Sequence, residues 1–226
     1  TIPVLPFAIR DQSQAGASLL NAGGLWSRGV EAGQGSDSLS WNPEQRSVEN
    51  GPDGLPEITL TISSASSVGG PDSFVPLRFA AVTSTKTSGQ IISWMQNGVT
   101  ADDLQTLGLS QLSFPSTVSV SSLSNTECTE IAAWLQSHQG QSFIVCLCGS
   151  NMGAVNSSNS SATGSALSTV QLIRPVAARI MASGIDSGGV VRVRLQPCVL
   201  ITSTAVTSTS ASAAQNRYLY SVRLCD

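Results

Sequence analysis

The clearest pattern of hydrophobic and polar residues lies between Ser124 and Cys148. Ser124 and Glu127 form the Ser-x-x-Glu signature of a helix capping box. The apolar residues that follow recur at helical spacing: Cys128, Ile131, Ala132 and Leu135. The segment Phe143–Cys148 is then apolar at every position, which predicts a central strand covered on both faces.

Shorter segments on both sides of this stretch predict further strands. Several of them alternate apolar and polar residues, which is typical of half-exposed strands. The predicted strands are Glu57–Ser63, Phe74–Thr83, Gln90–Gln96, Thr117–Leu123, Leu167–Arg174, Val190–Leu195, Val199–Val206 and Arg217–Cys225. Pro175 is expected to close the strand before it, whereas Val176–Ser183 fits either a short helix or the bend into another strand.

A second short helix is expected after Thr100. Thr100 is the predicted N-cap, and Asp102 and Asp103 would face the positive end of the helix dipole. Together the segments predict a mainly β protein. The expected fold is an antiparallel β-barrel or sandwich of about eight to ten short strands, with one or two short helices in the connections.

The chain length of 226 residues fits one domain, residues 1–226. Residues 1–56 are dense in Gly, Ser, Asn and Pro and are interpreted as an irregular surface arm, pinned by packing of Trp26 and Trp41. The turn cluster Asn50–Pro56 ends this arm. The β core is therefore predicted at residues 57–226.

Composition limits the classes of partner. Charged residues make up 11% of the chain and the net charge is −3, while Ser and Thr together number 55, so the surface is neutral and rich in hydroxyls. No basic cluster exceeds Arg192-x-Arg194, which argues against binding to nucleic acid. No apolar run approaches the length of a membrane span, and the first residues lack a signal-peptide pattern. Because Thr1 is not Met, we expect an excised domain or a processed product.

Five cysteines are present without a CxxC motif: Cys128, Cys146, Cys148, Cys198 and Cys225. Most lie among apolar residues, where a free thiol behaves as a small hydrophobe. One disulfide among them and a zinc site remain the alternatives. Reduced, buried thiols are the main expectation, which favours synthesis in a reducing compartment.

The segment Gly184–Gly189 resembles the Asp-Ser-Gly-Gly sequence around the nucleophile of chymotrypsin-like proteases. Ser187 would need a histidine base and an orienting carboxylate. His138 is the only histidine, and the only acid between it and the serine is the adjacent Asp186, so the triad cannot be assembled in that family's order. Ser187 is therefore interpreted as a turn residue, and no catalytic residue is predicted.

Metal and cofactor chemistry lacks suitable ligands. The acidic pair Asp102–Asp103 already has a role at a helix start, and His138 suits a helix C-terminus. No pair of acids stands out for a glycosidase, and the glycines Gly29, Gly33 and Gly35 do not match a phosphate loop. The sequons at Asn156 and Asn159 arise easily in a chain rich in Ser and Asn. We therefore predict no cofactor and no metal.

Lys and Arg are absent from Thr87 to Ile173, so trypsin has no site in this stretch, which suits a particle exposed to digestive protease. The chain also has the start at Thr1, a Gly/Ser-rich arm, low-charge strands and cysteines expected to be reduced. In this combination of features it resembles the projecting spike domain of a small non-enveloped RNA virus capsid, most closely the avian astrovirus spike. The resemblance implies a β-barrel-like domain that forms a homodimer on the virion surface, attaches to the host cell and carries epitopes of neutralising antibodies. Synthesis would occur in the host cytoplasm.

The predicted function is thus recognition of a host receptor, either a protein or a glycan. The loops expected to present it are Gly149–Ser165, Ser63–Asp72 and Thr207–Gln215, although no receptor-binding residue is assigned. A β-sandwich adhesin or carbohydrate-binding module is the first alternative and would show a groove lined by Trp or Tyr. A serine hydrolase using Ser187 is the second.

Overall fold

The computed structural model describes residues 4–11, 25–62, 74–79, 89–106, 114, 116–120, 123–149, 153–154, 168–202 and 219–221. Within them the strands are β1 (Val4–Arg10), β2 (Leu39–Asn42), β3 (Ser47–Asn50), β4 (Ile58–Ile62), β5 (Phe74–Arg78), β6 (Ser116–Val120), β7 (Ser142–Cys148), β8 (Gly153–Ala154), β9 (Ser168–Ile185), β10 (Val191–Pro197), β11 (Leu200–Thr202) and β12 (Leu219–Ser221). The helices are a π-helix (Ser27–Glu31), α1 (Gln90–Asn97), α2 (Ala101–Thr106) and α3 (Asn125–Ser137). The protein is mainly β, as predicted.

Five of the strands close into a barrel. β9, β6, β5, β1 and β7 pair in that order, and β7 also pairs with β9, which completes the ring. β10 and β4 extend the sheet from the C-terminal half of β9. Most pairs are antiparallel, but the β1–β7 and β11–β12 pairs are parallel. The predicted barrel is therefore confirmed with mainly antiparallel pairing, and the parallel β1–β7 pair makes the large sheet mixed.

The register identifies the inner face of the barrel. Thr117 and Gln171 are cross-strand partners and both are exposed, so their face points outward and the neighbouring residues on each strand point inward. Cross-strand partners share a face, and following the pairs around the ring gives the inner set: Ala8, Val75, Leu77, Val118, Val120, Cys146, Cys148, Val170 and Leu172. These side chains are small or of moderate size, as the narrow interior of a five-stranded barrel requires. Arg10, opposite Cys148, is a larger side chain on the same face, at the end of β1.

The outer face of the barrel carries the larger side chains of the core. On this face Phe7 stacks on Phe74 with ring centroids 4.8 Å apart. Phe79, the residue after β5, meets Trp94 of α1 edge to face beyond the end of the strand. α3 buries its apolar side, and the fully buried Trp26 belongs to the same core. β1 and β7 are therefore buried on both faces, because one face lines the barrel and the other lies under helices.

The interpretation of residues 1–56 as an irregular arm is wrong at its start. β1 lies inside the sheet between β5 and β7, and its central residues are buried. Pro6 is tolerated because the register between β1 and β7 shifts between Val4 and Ala8, so that a bulge surrounds the proline. The prediction of a single domain over residues 1–226 remains a prediction.

The predicted strand Gln90–Gln96 is a helix, α1. Ile91, Trp94 and Met95 are its buried residues, at the i, i+3 and i+4 spacing of one helical face. Gly98 follows the helix with a φ of 77°, so the Asn-Gly pair that predicted a strand turn is a helix C-terminus.

Pro175 does not close a strand, since β9 runs through it to Ile185. The Ala177 carbonyl accepts a hydrogen bond from the Cys198 amide, on the side away from β7. Pro175, two residues earlier, directs its nitrogen to that same side. On that side of β9 the pairing with β6 ends at Leu172 and the pairing with β10 starts at Ala178. Pro175 lies in the gap between them, so its missing N–H leaves no carbonyl without a partner. The ambiguous segment Val176–Ser183 is thereby strand.

Other predictions are confirmed. Ser124 and Glu127 form the capping box of α3: the Glu127 amide donates to the Ser124 hydroxyl and the Ser124 amide donates to the Glu127 carboxylate. β7 is buried along almost its whole length. The strands β4, β5, β6, β10, β11 and β12 and the helix α2 fall inside or close to the predicted segments.

Candidate functional site

Four strand ends meet at one end of the barrel. β1 and β7 are parallel and both finish there, with Arg10 opposite Cys148. β5 and β9 run the other way and begin there, because Phe74 lies opposite Ile9 and Leu172 opposite Cys148. Residues 12–24, 63–73 and 150–167 connect to these ends. We call this part of the framework the loop-bearing end.

Backbone hydrogen bonds hold the strand ends at the loop-bearing end in register. The Asp11 amide donates to the Cys148 carbonyl at 2.9 Å, which prolongs the β1–β7 pairing by one residue. The Gly149 amide donates to the Gln171 carbonyl at 2.9 Å, which prolongs the β7–β9 pairing. The segments that leave here therefore start from fixed positions.

The π-helix is tied to this end by two charged side chains. The Asp11 carboxylate accepts hydrogen bonds from the Ser27 amide at 2.9 Å and the Ser27 hydroxyl at 2.7 Å, and an acid at a helix start is electrostatically favourable. At the other end of the π-helix Glu31 forms an ion pair with Arg174 of β9. The helix thus braces β1 against β9.

The predicted presenting loops lie mostly outside the described residues. Ser63–Asp72 and Thr207–Gln215 lie entirely outside them, and of Gly149–Ser165 only Gly149 and β8 are described. Chain connectivity places two of the three at the loop-bearing end. The third connects β11 to β12, which form a separate two-stranded sheet.

The structure does not bring Ser187 and His138 together. Ser187 lies exposed in the turn between β9 and β10. His138 stacks on Trp134 with centroids 3.8 Å apart, and its Nδ1 lies 2.8 Å from the Trp134 carbonyl oxygen. His138 also neighbours Phe143, which lies opposite Ala178 of β9. The turn that holds Ser187 begins after Ile185, at the far end of β9. At about 3.3 Å per residue, roughly 20 Å of strand separates Ala178 from Ile185.

Asp186 is a turn residue. Its Oδ1 accepts hydrogen bonds from the Val190 amide at 3.0 Å and the Gly188 amide at 2.9 Å, and its Oδ2 lies 3.4 Å from Arg192. The Val190 amide, with Gly188 and Arg192, holds the pKa of Asp186 below its ordinary value. These contacts close the turn between β9 and β10.

The acidic pair at α2 has the predicted structural role. Asp103 accepts hydrogen bonds from the Thr100 amide at 2.8 Å and the Thr100 hydroxyl at 2.7 Å. Burial raises the pKa of Asp103, but the Thr100 hydrogen bonds outweigh it and the net pKa is lowered. Among the described residues no three His, Cys, Asp or Glu side chains are grouped so that they could hold a metal ion.

All four tryptophans are used in packing. Three of them, Trp26, Trp94 and Trp134, are buried in the core. Trp41 is half-buried, with the Arg179 guanidinium over its ring at 4.6 Å and the Cα of Gly140 against it. An aromatic platform for a sugar needs an open ring face, whereas three of the indoles are buried and the guanidinium of Arg179 lies over the ring of the fourth.

The four described cysteines are free and buried: Cys128, Cys146, Cys148 and Cys198. Burial raises the pKa of Cys146 to about 12, with a further contribution from Cys148. Burial likewise raises the pKa of Cys148 to about 12, against the opposing charge of Arg10. Thiols with such pKa values are poor nucleophiles. Cys225 lies outside the described residues.

No family model, curated protein or solved structure matches this chain. In the part of the chain that the structure describes, no helix has the length and apolar character needed to cross a membrane. The assignment of a site therefore rests on the geometry of the loop-bearing end. Two of the segments that connect to the loop-bearing end were identified from the sequence. Asp11 and Arg174 were missed, because the sequence shows only that each is a charged residue beside an apolar run.

Proposed function

We propose that this domain is a capsid surface spike that attaches a virion to its host cell and carries epitopes of neutralising antibodies. The observation that carries the proposal is that four strand ends, joined in the chain to residues 12–24, 63–73 and 150–167, meet at one end of a closed barrel. A closed barrel holds its strand ends rigidly, and binding residues concentrate on loops that such a scaffold positions. The receptor, a protein or a glycan, binds at the loop-bearing end.

Two features of the framework support a recognition role. The thiols inside the barrel suit synthesis in a reducing cytoplasm followed by exposure on the virion, because burial protects them from later oxidation. The packing of all four tryptophans favours the spike over a carbohydrate-binding module of the aromatic-groove type. The separation of Ser187 from His138 gives a serine hydrolase no support.

The test is cell binding by loop-replaced variants. In one variant residues 155–167 become a short Gly-Ser linker, and in the matched control residues 207–215 are replaced in the same way. Flow cytometry on a panel of vertebrate epithelial cells should show binding by the parent domain, loss of binding by the first variant and retention by the control. Binding by none of the three proteins, or equal binding by all of them, would contradict the proposal.

The spike is proposed to act as a homodimer, since two copies present two receptor sites to one cell surface. The mass in solution should then be about twice 23.3 kDa. A monomer at all concentrations up to about 100 μM, measured by analytical ultracentrifugation, would remove the dimer from the proposal and leave the attachment role to the cell-binding test.

A further inference from the structure

Residues 36–56 cross the outside of the molecule and contribute nothing to the core. They contain the β2–β3 hairpin and the turns on both sides of it, and not one of these residues is buried. Four acids (Asp37, Glu44, Glu49 and Asp53) and one base (Arg46) give this segment a charge of −3. We call residues 36–56 the strap.

The first attachment of the strap is Trp41. Its ring contacts Arg179 of β9 and Gly140, the last residue of the turn that follows α3. A Cβ added at Gly140 would overlap the ring, so the indole sits directly on the backbone. A cation over a partly exposed indole is a modest interaction.

The second attachment is made to Glu57, the buried acid before β4. Its carboxylate accepts hydrogen bonds from the Leu39 amide at 2.6 Å and the Ser38 amide at 3.3 Å. Arg194 of β10 donates to the Ser38 hydroxyl at 2.7 Å and lies 3.4 Å from the same carboxylate. Polar contacts alone hold the strap here.

The third attachment is Gln196 of β10, a fully buried amide. Its Nε2 donates to both oxygens of Asp53, at 3.0 and 3.1 Å, and lies 3.2 Å from the Leu55 carbonyl oxygen. Its Oε1 is buried without a partner, and so is Nε of Arg179, the strand partner of Gln196. Unsatisfied buried groups weaken the closed arrangement.

We propose that the strap opens as a unit while the barrel stays folded, and that opening uncovers the sheet face that bears Arg179, Arg194 and Gln196. No residue of the strap is fully buried, and a two-stranded hairpin on its own is marginally stable in water. A segment fastened only by polar contacts and one half-buried indole belongs to the low-stability end of a protein's local openings. The strap is thus a cover over Arg179, Gln196 and the Arg194–Glu57 pair.

Hydrogen exchange measured by mass spectrometry tests the proposal. Amides of residues 38–50 should exchange at least about a hundredfold faster, relative to their intrinsic rates, than amides of residues 142–148, because local openings cost less free energy than global unfolding. Trp41→Ala should speed exchange in 38–50 by roughly tenfold and leave 142–148 unchanged. Glu44→Ala, an exposed change in the same hairpin, is the matched control and should alter neither region.

A second readout follows the uncovered arginines. Phenylglyoxal modification of Arg179 should become several-fold faster in Trp41→Ala, whereas Arg192, which lies on β10 outside the strap and is 60% exposed, should react at an unchanged rate. The proposal is overturned if the strap and β7 exchange at the same protected rate in the parent protein. It is also overturned if Trp41→Ala speeds both regions equally, fails to fold, or leaves Arg179 unreactive.

Discussion

Strand β7 and the strap are both ordered by hydrogen bonds, but they differ in what covers them. β7 pairs with β1 and β9, and both of its faces are buried. The two strands of the strap pair only with each other, and a single backbone bridge joins Ser36 to Glu57. The side-chain contacts described between the strap and the body are polar apart from that of Trp41. The comparison shows that a regular hydrogen-bond pattern does not by itself make a segment part of the cooperative core.

The largest difference should appear when one apolar side chain is truncated in each region. Phe7→Ala removes a fully buried ring stacked on Phe74 and should lower the free energy of unfolding by about 3–5 kcal/mol. Leu39→Ala in the strap removes a half-buried side chain and should cost less than about 1 kcal/mol. Urea denaturation followed by far-UV circular dichroism measures both changes. Equal losses would place the strap inside the cooperative core.

The parts of the fold that were predicted correctly are those with a strong local signal. The capping box fixed the start of α3, and the continuous apolar run fixed β7. β1 was missed because Pro3 and Pro6 suggest an irregular segment, although a bulge accommodates the second of them. α1 was misassigned because its short apolar run fits both a strand and one helical face, and packing on the barrel decides between them.

The candidate site was only partly predictable because it depends on contacts between distant residues. The loop-bearing end exists because β1 pairs with β7 in parallel, which no local pattern signals. Arg174 meets Glu31 across 143 positions of sequence. Likewise, no local pattern at Asp53 signals that its carboxylate accepts hydrogen bonds from Gln196 of β10. Surface-loop composition was readable from the sequence, but the meeting of the strand ends to which these segments connect was not.

A smaller effect should separate the two regions at high pH. Burial raises the pKa of Cys146 and of Cys148 to about 12, from an ordinary value near 9. The unfolded chain then releases protons above pH 9 while the folded barrel keeps them, so stability is intact below pH 9 and falls as the pH rises towards 12. The loss should be about 1 kcal/mol per thiol for each pH unit.

Urea titrations at pH 8 and pH 10 measure this loss, which should be roughly 2–3 kcal/mol for the two thiols together. The double variant Cys146→Ala/Cys148→Ala is the control. It will be less stable at both pH values, but the difference between pH 8 and pH 10 should shrink by about that amount. An unchanged difference would mean that these thiols are accessible to water. The strap contains no cysteine. Hydrogen exchange of its amides should therefore change with pH only because the intrinsic exchange rate of an unprotected amide changes.

The smallest effect on global stability should come from a change that strengthens the strap itself. Arg46 closes the β2–β3 turn with a φ of 52°, a left-handed conformation that glycine adopts without cost. Arg46→Gly should therefore slow hydrogen exchange in the strap by about two- to fivefold, since glycine removes strain of order 1 kcal/mol but raises the entropy of the open hairpin. The free energy of global unfolding should change by less than about 0.3 kcal/mol, because an independently opening segment is already lost before the barrel unfolds. An equal gain in the free energy of global unfolding and in strap protection would show that the strap and the barrel unfold together. The strap would then belong to the same cooperative unit as β7.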